Sequence, residues 1–188
     1  MAVIFKDLMV QATLWSGIFY AVSYPYIHLF LMKQVNEKMV SINQIFTCLC
    51  VIVINSVWNR YSDRLYEYFG VFLFGESFLY LILKLGIIFN VASPIAYYAI
   101  DTLLVGLITR NIICGATKLR AKIYKGEDRE KYDNTIQIAG SIATLIGAGI
   151  AVVIELPIQG ALFVGELAIT IDNLLYWIAY KKSRIDKA

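Results

Sequence analysis

The chain has 188 residues, 59% of them hydrophobic, and a mean hydropathy of +0.65. Soluble domains are about 45–50% apolar; here the excess lies in runs of about 20 residues broken by short polar turns, which leaves room for one membrane domain over 1–188 and excludes a soluble one. The net charge of +3 is no nucleic-acid signature, because the basic residues cluster at the ends of the apolar runs.

In chain order the predicted helices cover about 8–32, 39–58, 69–89, 94–117, 134–154 and 158–180. Each is long enough to cross about 30 Å of hydrocarbon at about 1.5 Å per residue. The fold class is therefore an all-α membrane protein with six transmembrane helices. The first ten residues lead into a full-length apolar span rather than a short one with a cleavage site, so no cleavable signal is expected. Pro25 lies inside the first helix and is expected to kink it. Ser93 followed by Pro94 reads as a capping serine and a proline at the first helical position. Pro157 separates the last two helices. The 118–133 segment, with mixed charges, reads as a connector or a short surface helix before the chain re-enters the membrane near Asn134; a lipid-headgroup or partner contact is the other reading.

Charge predicts the orientation. Of the 17 Lys and Arg, Lys6, Arg60, Arg64, Lys118, Arg120, Lys122, Lys125, Arg129, Lys131, Lys181, Lys182, Arg184 and Lys187 flank one side, and only Lys33 and Lys38 the other. Lys84 and Arg110 lie within spans. By the positive-inside rule the rich side is cytoplasmic, so both termini face the cytoplasm of a plasma (inner) membrane.

Gly70-Val-Phe-Leu-Phe-Gly75-Glu76 opens the third helix and Gly160-Ala-Leu-Phe-Val-Gly165-Glu166 opens the sixth. The shift carries helices 1–3 onto 4–6, and the two helices run in opposite directions. An inverted three-plus-three repeat predicts this pattern; chance is the competing explanation for so short a match.

Ionisable groups in a bilayer core need a partner, water or a function. The candidates are Glu76 and Lys84 in the third helix, Asp101 and Arg110 in the fourth, and Glu166 and Asp172 in the sixth. Depth matches Lys84 with Asp101 and Glu76 with Arg110. Such pairs either hold helices together or line a polar cavity for substrate or a proton. Glu166 has no evident cationic partner at its depth and is the first choice for a titrating group. Tyr20 and Tyr24, four residues apart, share a helix face and either pack or stack on a substrate. Tyr26 and His28 suit an interfacial aromatic belt. Gly140 and Gly147 form a smooth strip for close helix approach. Cys48, Cys50 and Cys114 read as small hydrophobes, with no metal site and no disulfide framework. No phosphate-binding loop, zinc-spaced His/Cys set or Ser-His arrangement is present, so neither an enzyme nor a cofactor is expected.

The segment Asn59-Arg60-Tyr61-Ser62-Asp63-Arg64-Leu65-Tyr66-Glu67-Tyr68 resembles the cytoplasmic loop signature of the major facilitator superfamily in its small-Asp-basic centre, Ser62-Asp63-Arg64. Asn59, Tyr66, Glu67 and Tyr68 depart from that signature. Arg110 with Gly115 looks like the family's helix-4 arginine motif, with the glycine one residue late. The glycines of the fifth helix resemble the exporters' glycine-rich motif without its Gly-Pro pair. The resemblance covers one six-helix bundle, half of such a transporter. It implies that Asp63 and Arg64 form cytoplasmic gate contacts and that Arg110 is a coupling residue. Placed at the start of the third helix, Asp63 would also favour that helix's positive end. It further implies a homodimer, or another six-helix bundle, to complete the fold around a small-molecule or peptide substrate. The reading is a half-size secondary transporter, an exporter by the fifth-helix glycines. The alternatives are a substrate-binding subunit of a larger importer and a non-transporting immunity or regulatory protein.

Overall fold

A computed structural model describes residues 2–185, with side chains from residue 8 onward. Lys187 and the side chain of Lys6, both used above for orientation, lie outside the described residues. Among the described residues there are six helices and no strand: α1 (Ala2–Met32), α2 (Glu37–Glu67), α3 (Phe69–Ile88), α4 (Pro94–Ile123), α5 (Glu127–Val153) and α6 (Ile158–Ile185). Five of them, α2 to α6, are long and apolar enough to cross a membrane. In the five apolar windows only 11–39% of residues are buried within the protein. Phe74, Leu145, Val152 and Val153 are each more than three-quarters exposed. Water would penalise such surface by about 25 cal/mol per Å², and lipid would not, so these helices are compatible with a multi-pass membrane protein.

The chain packs as two compact units. One takes Met1–Tyr26 and Ala116–Ala188, and the other Ile27–Gly115. α1 therefore passes between units just after Pro25, and α4 just after Gly115. The first three and last three helices do not form the two units. The glycine-glutamate match nevertheless falls once in each, at the start of α3 and of α6.

One local signal acts as the sequence predicts. The Ser93 hydroxyl accepts from the Ala96 amide at 3.2 Å and α4 begins at Pro94. Asn36 caps α2 in the same way, accepting from the Met39 amide at 2.9 Å. Other boundaries differ. α2 is 31 residues long and kinked at Tyr61. It contains no glycine or proline to stop it, so the 59–68 segment is not a loop. It forms the last turns of α2, with one non-helical residue at Tyr61 (φ −124°, ψ 26°). Asp63 accordingly lies near the end of α2, not at the start of α3. α4 continues to Ile123, and α5 begins at Glu127 after Gly126, whose φ of 55° favours glycine. Glu127, Asp128 and Glu130 in its first turn suit the positive end of the helix.

In the first unit, α5 lies against α1 along the predicted glycine strip. A Cβ on Gly147 would come within 2.6 Å of the Ile18 carbonyl oxygen, and one on Gly17 within 2.8 Å of Ala143 Cβ. The Tyr26 hydroxyl donates to the Ala151 carbonyl at 2.8 Å and also to the Ile154 carbonyl, satisfying orphan acceptors at the end of α5. In the second unit Gly115 meets the ring of Phe69, which is fully buried at the start of α3. A Cβ there would lie 2.2 Å from Phe69 Cδ2. Gly115→Ala should therefore cost about 1–3 kcal/mol by overpacking. Adding Phe69→Leu should restore part of it in unfolding measurements in detergent; no recovery would assign the loss to something other than this ring.

Candidate functional site

The second unit holds a polar array between α2, α3 and α4. Glu76, Tyr80 and Lys84 recur every four residues along α3, so they form one stripe. All three are buried. The Tyr80 hydroxyl bonds the Asp101 carboxylate of α4, and the Lys84 ammonium acts electrostatically on the same carboxylate. Lys84 Nζ also lies 5.4 Å from the Tyr80 ring centroid, within cation–π range. Burying these charges is tolerable because each has a compensating group. The depth match of Lys84 with Asp101 is thus realised, with Tyr80 added between them.

The second depth match is realised differently. The hydroxyl donating to Glu76 Oε1 belongs to Thr109, the neighbour of Arg110. Arg110 turns to α2, where Nε and Nη2 donate to Asn55 Oδ1 at 3.2 and 3.0 Å. The Cys114 thiol donates to the same oxygen at 3.4 Å. One turn further along α2, Trp58 Nε1 donates to Asn111 Oδ1 at 2.7 Å. Between Asp101 and Arg110, Val105–Thr109 forms a π-turn inside α4.

Tyr80, Asn55, Thr109 and Asn111 are members of this array that sequence reasoning missed. Tyr80 had a signal, since it lies midway between Glu76 and Lys84 at helical spacing. Asn55 had one too, as an amide at the end of the run Val51-Ile-Val-Ile54. Thr109 had none, because the π-turn has no mark in the local sequence.

The remaining candidates lie elsewhere. Glu166 is buried in the first unit and accepts from Thr170 Oγ1 at 3.4 Å. Asp172 accepts from Ser16 Oγ of α1 at 3.2 Å, and one turn along α6 Tyr176 bonds Thr13. Tyr20 and Tyr24 stack on each other with centroids 5.3 Å apart and are about half exposed. Asp63 and Arg64 are exposed on α2. At the other end of the first unit Arg120 pairs with Asp133 at 3.4 Å, and Tyr124 stacks on Tyr132 with centroids 4.1 Å apart. Among the described residues no group of three or more His, Cys, Asp or Glu could hold a metal ion.

Comparison with known proteins finds no matching family model, no matching curated protein and no matching solved structure.

Proposed function

We propose that this chain is a half-size secondary active transporter: one six-helix bundle of the major facilitator type, built as an inverted three-plus-three repeat. It works as a homodimer in the plasma membrane with both termini in the cytoplasm. The observation that carries the reading is the polar array in which buried Glu76, Tyr80 and Lys84 meet half-buried Asp101, Thr109 and Arg110 within helices whose outward surface is apolar. A set of charges this costly to place in hydrocarbon is more than helix packing requires, since apolar side chains pack as well. Glu76 and Asp101 supply carboxylates whose protonation can be tied to movement of α3 against α4, while Lys84 and Arg110 hold the counter-charge. Asp63 and Arg64 on the exposed end of α2 would make the cytoplasmic gate contacts. Glu166 gives the first unit its own buried carboxylate. Tyr20 and Tyr24 offer an exposed stacked pair for an amphipathic substrate. The small residues of α5 favour export.

The test is reconstitution into liposomes loaded with a pH-sensitive dye, with ethidium or trileucine as the amphipathic probe. A proton gradient should drive probe movement, and Glu76→Gln should reduce it at least tenfold. Native mass measurement from lipid nanodiscs should give twice the 21.3 kDa of one chain. Absence of driven flux with both probes, or a lone monomer, overturns the proposal. A larger unrelated partner would make the chain a binding subunit instead.

A further inference from the structure

We propose that the π-turn Val105–Thr109 positions the Glu76 site: the one residue it adds to α4 brings Thr109 to Glu76 and Arg110 to Asn55. In a regular α-helix each residue advances about 100°. Counted from Asp101, which faces Tyr80 and Lys84 on α3, Thr109 would then emerge about 80° to one side and Ile108 within about 20° of the Asp101 direction. Glu76 would face an isoleucine, and Arg110 would point about 180° away from Asp101. A π-turn closes on i→i+5 bonds, takes in one extra residue and sets everything after it back by about 100°. Thr109 falls into line with Asp101, and Arg110 comes to about 80° round, on the side of α2. The observed hydrogen bonds are those this setback produces: Thr109 to Glu76, and Arg110 to Asn55 at 3.0 and 3.2 Å.

Gly106 fits the same role. It lies within the turn and is buried, and a Cβ on it would come within 3.0 Å of Cys50 Sγ and 3.1 Å of Phe46 Cε1. The turn therefore rests directly on α2, and its residue without a side chain is the one at the contact. π-turns are rare because their hydrogen-bond geometry is poorer than that of an α-turn. Here that cost is offset by two polar contacts that a straight α4 would not make, one to a buried carboxylate and one from a guanidinium. Gly106 is thus a positioning residue, acting through Thr109 and Arg110.

The functional meaning of this inference rests on the proposed transport role of Glu76; its geometry does not. Two experiments separate them. In a background with Cys48, Cys50 and Cys114 replaced by alanine, Glu76→Cys is combined with Thr109→Cys or with Ile108→Cys and oxidised in membranes. Cross-linking at 109 with little at 108 is expected, and the reverse overturns the proposal. If Glu76→Cys fails to fold, the pairs Asn55→Cys with Arg110→Cys and Asn55→Cys with Thr109→Cys ask the same question. The first should cross-link, and preference for the second overturns the setback. In liposomes Thr109→Val should lower proton-driven probe flux at least tenfold and Thr109→Ser should restore more than half. Adding Ile108→Thr to Thr109→Val should restore nothing, because position 108 faces away from Glu76. Rescue from position 108, or failure of Thr109→Ser, overturns the positioning role. Cross-links as expected with no flux in the unmodified protein would overturn the transport reading alone.

Discussion

Lys84→Met is expected to destabilise the protein by about 2–4 kcal/mol, somewhat below the usual cost of breaking a fully buried charged pair because Asp101 is only half-buried. Lys84 is only 4% exposed, and without it the Asp101 carboxylate keeps the Tyr80 hydroxyl but loses its nearby positive charge. A carboxylate in a low-dielectric interior is then either ionised at high cost or neutralised. Combining Lys84→Met with Asp101→Asn removes both charges and retains an acceptor for Tyr80, so more than half of the lost stability should return. Unfolding in detergent followed by helical circular dichroism reads both effects. The same double variant separates support from coupling. It should be folded and should not move probe against its gradient. Equal instability of the single and double variants would show that Lys84 does not compensate Asp101. Full transport by the double variant would remove this pair from the coupling machinery.

The second large effect is expected at Gly147. A Cβ there would stand 2.6 Å from both the Ile18 carbonyl oxygen and Ala21 Cβ of α1. The oxygen is backbone and cannot swing aside, so the helices must separate along the strip where small residues let them approach. Gly147→Leu should therefore cost about 3 kcal/mol, at the upper end for overpacking. Gly149, two residues on, has open space at its Cβ position. Gly149→Leu should be tolerated, because the added side chain points away from the α1 contact. Equal losses at the two positions would show that the close approach of α1 at Gly147 is not what makes its substitution costly, since leucine favours a helix more than glycine does.

Much of this molecule is legible in the amino-acid order because it follows from distances along one helix. The apolar runs give the number of helices, since hydrocarbon thickness and the rise per residue leave little choice. Ser93 and Pro94 start α4 through their own hydroxyl and ring. Lys84 and Asp101 meet because two antiparallel helices joined by a short turn carry them to the same depth. The glycine strip of α5 marks close approach, although the sequence does not say that α1 is the helix that fills it. The length of α2 was readable in principle from the absence of a helix breaker through Glu67; the charges of the 59–68 segment argued for a loop, and the chain instead continues as helix beyond a kink at Tyr61.

What only the tertiary structure decided depends on contacts between residues distant in the chain. Met1–Tyr26 pack with Ala116–Ala188, and Ile27–Gly115 pack among themselves, a partition that no local periodicity encodes. The exchange of Arg110 for Thr109 opposite Glu76 is of the same kind. A count at about 100° per residue assumes an unbroken α-helix, and α4 is broken at Val105–Thr109. That break is held by Gly106 against Cys50 and Phe46 on another helix, and by a carboxylate and an amide that take up the displaced side chains. The sequence by itself determined which ionisable residues lie within the apolar helices and how far along each helix they stand. Which of them touch was decided by packing, because a one-residue change in helical register turns every later side chain to a different face.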